Sequence, residues 1–210
     1  MLDFFTEDHK NAISILKDDH KKVKRLFDKF DDTDNKLEKR KIIAQAIKEL
    51  KIHAAIEEEI FYPTVRNAID KKIMTEADEE HHVAKILIAE LEDMKSNETH
   101  FEAKFIVLAE NVRHHIKEEE RDMLPKASHL NINMKALGLQ MLARKQELTQ
   151  TGVDRFSEET FISSNKGNID SPAQAAKKNK PSAVTKAKNQ LSLLSSLENL
   201  LKQPNQLKLK

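Results

Sequence analysis

HAAIEEEIFYP at residues 53–63 and HIKEEERDMLP at 115–125 decide the fold of this chain. Each places glutamates four and five residues after a histidine, and a proline ten residues after it. On an α-helix, positions i and i+4 lie one above the other on one face. His53 with Glu57, and His115 with Glu119, can therefore each offer an imidazole and a carboxylate to a single metal ion. Two such helices face to face would assemble two imidazoles and two carboxylates, the start of a two-metal site.

A lone HxxxE carries little weight in a chain with nine histidines. The recurrence gains weight from the shared proline and from a second matched pair upstream. DHKKVKRLF begins at Asp19 and EHHVAKILI at Glu80. Each sets an acid before the histidine and an apolar pair six and seven residues after it, Leu26 and Phe27 in one, Leu87 and Ile88 in the other. The chain thus reads as a duplicated helical hairpin, each unit running His, then HxxxE, then Pro.

Apolar spacing places these groups on inward faces. Ile13, Leu16, His20, Val23, Phe27 and Phe30 recur at intervals of three and four, which predicts a helix over about 7–30. A second helix, about 36–67, aligns Ile43, Ala46, Leu50, His53, Glu57 and Phe61. The third, about 76–95, admits two stripes: Ala77, His81, Ala84, Ile88 and Leu91, or Glu80, Val83, Leu87, Leu91 and Met94. A fourth, about 98–124, lines up Phe101, Phe105, Leu108, Val112, His115 and Glu119. The fifth, about 133–150, carries Leu137, Met141, Leu142 and Leu148. Short connections predict an all-α fold, an antiparallel up-down-up-down four-helix bundle with an additional helix and a C-terminal tail. Six polar groups meeting at one layer of such a bundle are costly to bury unless something satisfies them, and two cations would.

The remaining candidates read more plainly. Glu58, Glu59, Glu118 and Glu120 are expected on a solvated face; His82 and His114 fall off the stripes and are expected exposed. His9 continues the stripe of His20 one level away, and is expected either to support the ligands from behind or to sit at the end of the bundle; His100 and His129 read as surface. Tyr62, the single tyrosine, is open between packing and function.

Composition bounds the function. Charged residues make up 34% of the chain and glycine and proline are scarce, as in a helical protein. Without cysteine there is no disulfide, thiolate nucleophile or iron–sulfur ligation, so a metal must be held by nitrogen and oxygen. No apolar run approaches a membrane span, and the acidic start MLDFFTEDHK does not resemble a secretory signal, so a cytoplasmic location is expected. Residues 166–210 carry nine lysines against two acids. The expected organisation is a bundle with its fifth helix over 1–150, a flexible basic linker over 151–188, and a short amphipathic helix over 189–203. The tail has too little aromatic or arginine content for a clear nucleic-acid site, while its leucine-rich helix could self-associate or touch a surface.

The four elements DH at 19–20, HAAIEEEIFYP from 53, EH at 80–81 and HIKEEERDMLP from 115 together resemble the hemerythrin-like (HHE cation-binding) family over about residues 10–128. The resemblance implies His20, His53, Glu57, His81, His115 and Glu119 as ligands of a non-haem di-iron centre. Two departures stand out. Oxygen-carrying members have a second histidine four residues after the one on helix three, where this chain has Lys85, which argues against simple oxygen carriage. They also place the last carboxylate five residues after the last histidine; Glu119 lies four after His115, and five after the off-stripe His114. Ferritin-like proteins use Glu-x-x-His, the reverse order, and are excluded.

Imidazole and carboxylate suit iron, manganese or zinc alike, and the resemblance implies iron. The expected function is a di-iron protein that binds or senses dioxygen, nitric oxide or iron, in stress or iron and redox homeostasis, with enzymatic activity left open. One alternative is a di-iron enzyme acting on peroxide or nitric oxide, or repairing iron–sulfur clusters. A second is a helical interaction protein working through its basic tail.

Overall fold

The computed structural model describes residues 11–154. His9, the segment from 155 onward and the expected amphipathic helix at 189–203 lie outside the described residues. Helix α1 spans Ala12–Asp31. Helix α2 runs through Lys36–Ile56, a π-helical turn Glu57–Phe61 and a last turn Tyr62–Val65. Helix α3 spans Lys71–Asp93. Helix α4 repeats the plan of α2, with Phe101–Glu118, a π turn Glu119–Met123 and Leu124–Ser128. Helix α5 spans Met134–Thr151.

Local chemistry sets the starts. Asn11 and Ser14 cap α1 reciprocally: the Asn11 side chain accepts from the Ser14 N–H at 2.9 Å, and the Ser14 hydroxyl accepts from the Asn11 N–H at 3.0 Å. Such caps satisfy amide groups the helix leaves unpaired and contribute about 1 kcal/mol. Asn35, Asp70 and Asn133 cap α2, α3 and α5. Capped by Asp70, α3 starts five residues before the apolar stripe suggests, and its first turn buries Met74.

Both π turns start at the glutamate of an HxxxE and precede its proline. Proline lacks an N–H and its ring collides with the carbonyl four residues back. The Tyr62 N–H reaches the Glu57 carbonyl and the Leu124 N–H reaches that of Glu119, five residues back in each case. The widened turn lets each helix continue past Pro63 or Pro125.

Ion pairs between helices show their directions. Lys22 meets Glu49; Lys51 meets Glu92 while Arg66 meets Asp78; Glu80 meets His115 while Lys104 meets Glu90; Arg113 meets Asp28 while His20 meets Glu120. Numbers rise on one helix as they fall on the next, so α2 and α4 oppose α1 and α3. Helix α5 packs across α1 and α2. It approaches closely at Gly138, where a Cβ would lie 2.8 Å from the Ala12 backbone nitrogen.

Among the described residues the apolar interior falls into two clusters. One includes Leu16, Ile56, Phe61, Met123 and Met141; the other includes Val23, Phe27, Leu50, Phe105, Leu108 and Val112. Along each helix the layer between them is polar. His20 lies between Leu16 and Val23, His53 between Leu50 and Ile56, and His115 between Val112 and Met123.

Candidate metal centre

Among the described residues, the buried charged or imidazole side chains are Asp19, Lys51 and the six singled out by spacing: His20, His53, Glu57, His81, His115 and Glu119. The six meet in that polar layer. Donor atoms of His20, His53, Glu57 and Glu119 all lie within 4.8 Å of one another, as do those of Glu57, His81 and His115. Glu57 Oε2 stands 3.2 Å from His53 Nε2 and 3.3 Å from His81 Nε2. Glu119 Oε2 stands 3.2 Å from His20 Nε2 and 3.7 Å from His115 Nε2. Each glutamate therefore faces imidazoles from both halves of the cluster. Tyr62 completes the layer, its buried hydroxyl donating to Glu119 Oε1 at 2.9 Å and lying 3.2 Å from His81 Nε2.

Behind the histidines runs a ring of four more carboxylates. Asp19 on α1 stands 3.8 Å from His53 Nδ1 on α2; Glu58 on α2 accepts from His81 Nδ1 on α3 at 2.8 Å. Glu80 on α3 accepts from His115 Nδ1 on α4 at 2.8 Å, and Glu120 on α4 accepts from His20 Nδ1 on α1 at 3.0 Å. Every helix hands an acid to the next helix's histidine. On His20, His81 and His115 the carboxylate hydrogen-bonded to Nδ1 assigns the proton there and leaves the Nε2 lone pair pointing inward, the tautomer a metal ligand needs; His53 Nδ1, 3.8 Å from Asp19, has no hydrogen-bond partner. His81 and His115 then present two Nε2 atoms 3.1 Å apart.

Several inward atoms find no hydrogen-bond partner: His20 Nε2, His53 Nε2, both oxygens of Glu57 and Glu119 Oε2. Buried polar atoms are normally paired, since an unpaired one costs about 1–3 kcal/mol. Five of them aimed at one another suit cations. The electrostatics agree. Burial, reinforced by the charge of Glu119, pushes the Glu57 carboxyl well above its ordinary value. Burial also pushes Glu119 up, but His115 and His20 overcome it and hold that carboxyl far below the usual range. Burial drives His53 down to about 4 against the pull of Asp19. His20 is raised despite its burial, through its contact with Glu119. Burial and the neighbouring Glu119 push the Tyr62 phenol well up. Opposed shifts in touching groups mark excess negative charge in a poorly solvated place, which a divalent ion relieves.

His114 is exposed, as are His100 and His129. His82 is half-buried where an exposed residue was expected. Glu58 and Glu120, expected on a solvated face, are half-exposed but turn one oxygen inward to His81 and His20, and Glu59 pairs with Arg144 of α5. Their position one residue beyond each HxxxE was visible in the sequence; their partners on other helices were not. The α3 stripe through Ala77, His81, Ile88 and Leu91 is the buried one, leaving Val83 exposed.

Fold and centre together define a class: a helical bundle whose interior carries a histidine and glutamate centre fit for cations. The chain belongs to the hemerythrin HHE cation binding domain family, whose family model matches residues 11–127. It is similar to the crystal structure of a hemerythrin HHE cation binding domain-containing protein from Mycobacterium kansasii, with 26% sequence identity and a TM-score of 0.58, covering 69% of this chain and 95% of that one. It is also 27% identical over 110 residues to a DNA nickase of Nostoc sp., a match over 52% of this chain and 31% of that protein. The chain thus spans under a third of the Nostoc relative's length. No helix among the described residues is long and apolar enough to cross a membrane.

Proposed function

We propose that this protein holds two iron ions in the polar layer and uses them to bind or sense a small diatomic molecule, dioxygen or nitric oxide, or to sense iron itself. His20, His53, Glu57 and Glu119 form one ligand group and Glu57, His81 and His115 the other, with Glu57 common to both. Bound there, the ion pair would supply electron exchange with such a molecule. The chain's own residues do the rest. Glu120, Glu58 and Glu80 fix the tautomers of His20, His81 and His115, Tyr62 steadies Glu119, and the two apolar clusters flank the layer on either side.

The observation that carries this reading is the set of buried, unpartnered nitrogens and oxygens converging from four helices. Nitrogen and oxygen donors without sulfur suit iron, manganese or zinc, and the family resemblance favours iron. The test is metal content and optical spectrum after loading with ferrous iron under argon and desalting. The expected result is two irons per chain and a spectrum that changes when nitric oxide or air is admitted. Protein that retains no iron refutes the proposal; iron retained with an unchanged spectrum refutes its diatomic part.

A further inference from the structure

Helix α5 lies beyond the segment the family model matches, yet it reaches the centre. Three of the four outer carboxylates are each gripped by a lysine as well as facing a histidine. Lys24 of α1 holds Glu120 at 3.3 Å, Lys85 of α3 holds Glu58, and Lys145 of α5 holds Asp19. The fourth, Glu80, faces the exposed imidazole of His114 at 3.5 Å instead. The Asp19 arm differs in geometry. Its carboxylate stands 3.8 Å from His53, whereas the other three stand 2.8–3.0 Å from their histidines. Asp19 is buried and shared between a lysine on one oxygen and His53 on the other.

Helix α5 is seated to keep that lysine in place. Gly138, Met141, Lys145 and Leu148 recur at three and four residues, on one face. Gly138 allows backbone contact with Asn11 and Ala12, while Met141 and Leu148 are buried in the cluster that contains Leu16 and Ile56. On the flank, Arg144 pairs with Glu59 of α2. The ammonium group thus arrives from a rigidly docked helix, two turns after its closest backbone contact.

We infer that Lys145 is a positioning residue of the metal centre: it fixes the Asp19 carboxylate, whose charge stands 3.8 Å from His53 Nδ1 and orients that imidazole toward the centre, so that α5 is part of the site. The inference rests on the proposed metal-binding reading. Removing an outer-shell partner of this kind typically weakens metal binding 10–100-fold.

The test uses the full chain and two probes, ferrous iron and zinc, with affinity read by competition against a chromophoric chelator and folding stability read separately on chelator-treated protein. Lys145→Met should weaken metal binding about tenfold or more, and Lys145→Arg should restore most of it. Asp19→Asn should weaken binding similarly, and the double variant should be no worse than Asp19→Asn alone, because the two act in series. Arg144→Met, which loosens the same helix without touching Asp19, should leave affinity within about twofold. Equal losses in Lys145→Met and Arg144→Met would reduce the effect to helix docking and overturn the inference. So would wild-type affinity in Lys145→Met, while the metal-binding reading would stand. Wild-type protein that takes up neither metal would overturn both.

Discussion

Replacing Glu57 with methionine should move stability in opposite directions with and without metal. Glu57 is fully buried, neither of its oxygens has a hydrogen-bond partner, and burial, reinforced by the charge of Glu119, pushes its carboxyl well above the ordinary range. A buried unsatisfied polar group costs about 1–3 kcal/mol. Methionine is an unbranched helix former of similar length that adapts to irregular gaps, so it removes the penalty with little repacking cost. Chelator-treated Glu57→Met should therefore be more stable than wild type by about 1–3 kcal/mol, which at roughly 2–4 °C per kcal/mol is a rise in Tm of roughly 2–12 °C. Metal reverses the order. A ligand at a thousand times its Kd stabilises the folded state by about 4 kcal/mol, and wild type should gain on that scale. The variant, lacking the carboxylate common to both ligand groups, should gain little. Circular dichroism melts in chelator and in excess ferrous iron or zinc make the comparison. A variant that melts below wild type in chelator, or gains as much from metal, refutes the reasoning.

Three further outcomes follow from the geometry. Tyr62→Phe deletes the hydroxyl that donates to the buried Glu119 and should cost about 1–3 kcal/mol by urea denaturation of metal-free protein; an unchanged midpoint would show that this bond contributes nothing. Gly138→Ala forces a Cβ to within 2.8 Å of the Ala12 backbone, which has no flexible end to move aside. It should cost about 1–3 kcal/mol and raise amide exchange in α5, whereas wild-type exchange would contradict the close seat. In chelator, His53 contributes a pH dependence of known sign. Its folded pKa is depressed to about 4 from an ordinary 6.5, so the unfolded chain takes up the proton first. That contribution is complete above about 6.5 and is lost as pH falls toward 4, at up to about 1.4 kcal/mol per pH unit. The stability difference between wild type and His53→Gln should shrink over that window, and a constant difference would count against the shift.

The fold was legible because polar groups interrupt otherwise regular apolar stripes. Leu16, His20, Val23 and Phe27 on α1, and Leu108, Val112, His115 and Glu119 on α4, keep helical period and are all buried. That placed the six central side chains on inward faces, and the structure brings all six into one layer. The ring around them was not legible, because Asp19, Glu58, Glu80 and Glu120 each serve a histidine on another helix, and cross-helix pairing has no fixed spacing in sequence. Tyr62 belongs to the layer because the π turn rotates it inward, a displacement that a regular period of 3.6 does not anticipate. Lys145 was hidden further still, since its partner Asp19 is 126 residues away.

The most direct measurement is anomalous diffraction at the iron edge from crystals of the full chain loaded with ferrous iron. Two peaks should appear inside the bundle, one among His20, His53, Glu57 and Glu119 and the other among Glu57, His81 and His115. A dark interior, with density only at surface groups such as Glu80, His114 and Glu118, would contradict the account.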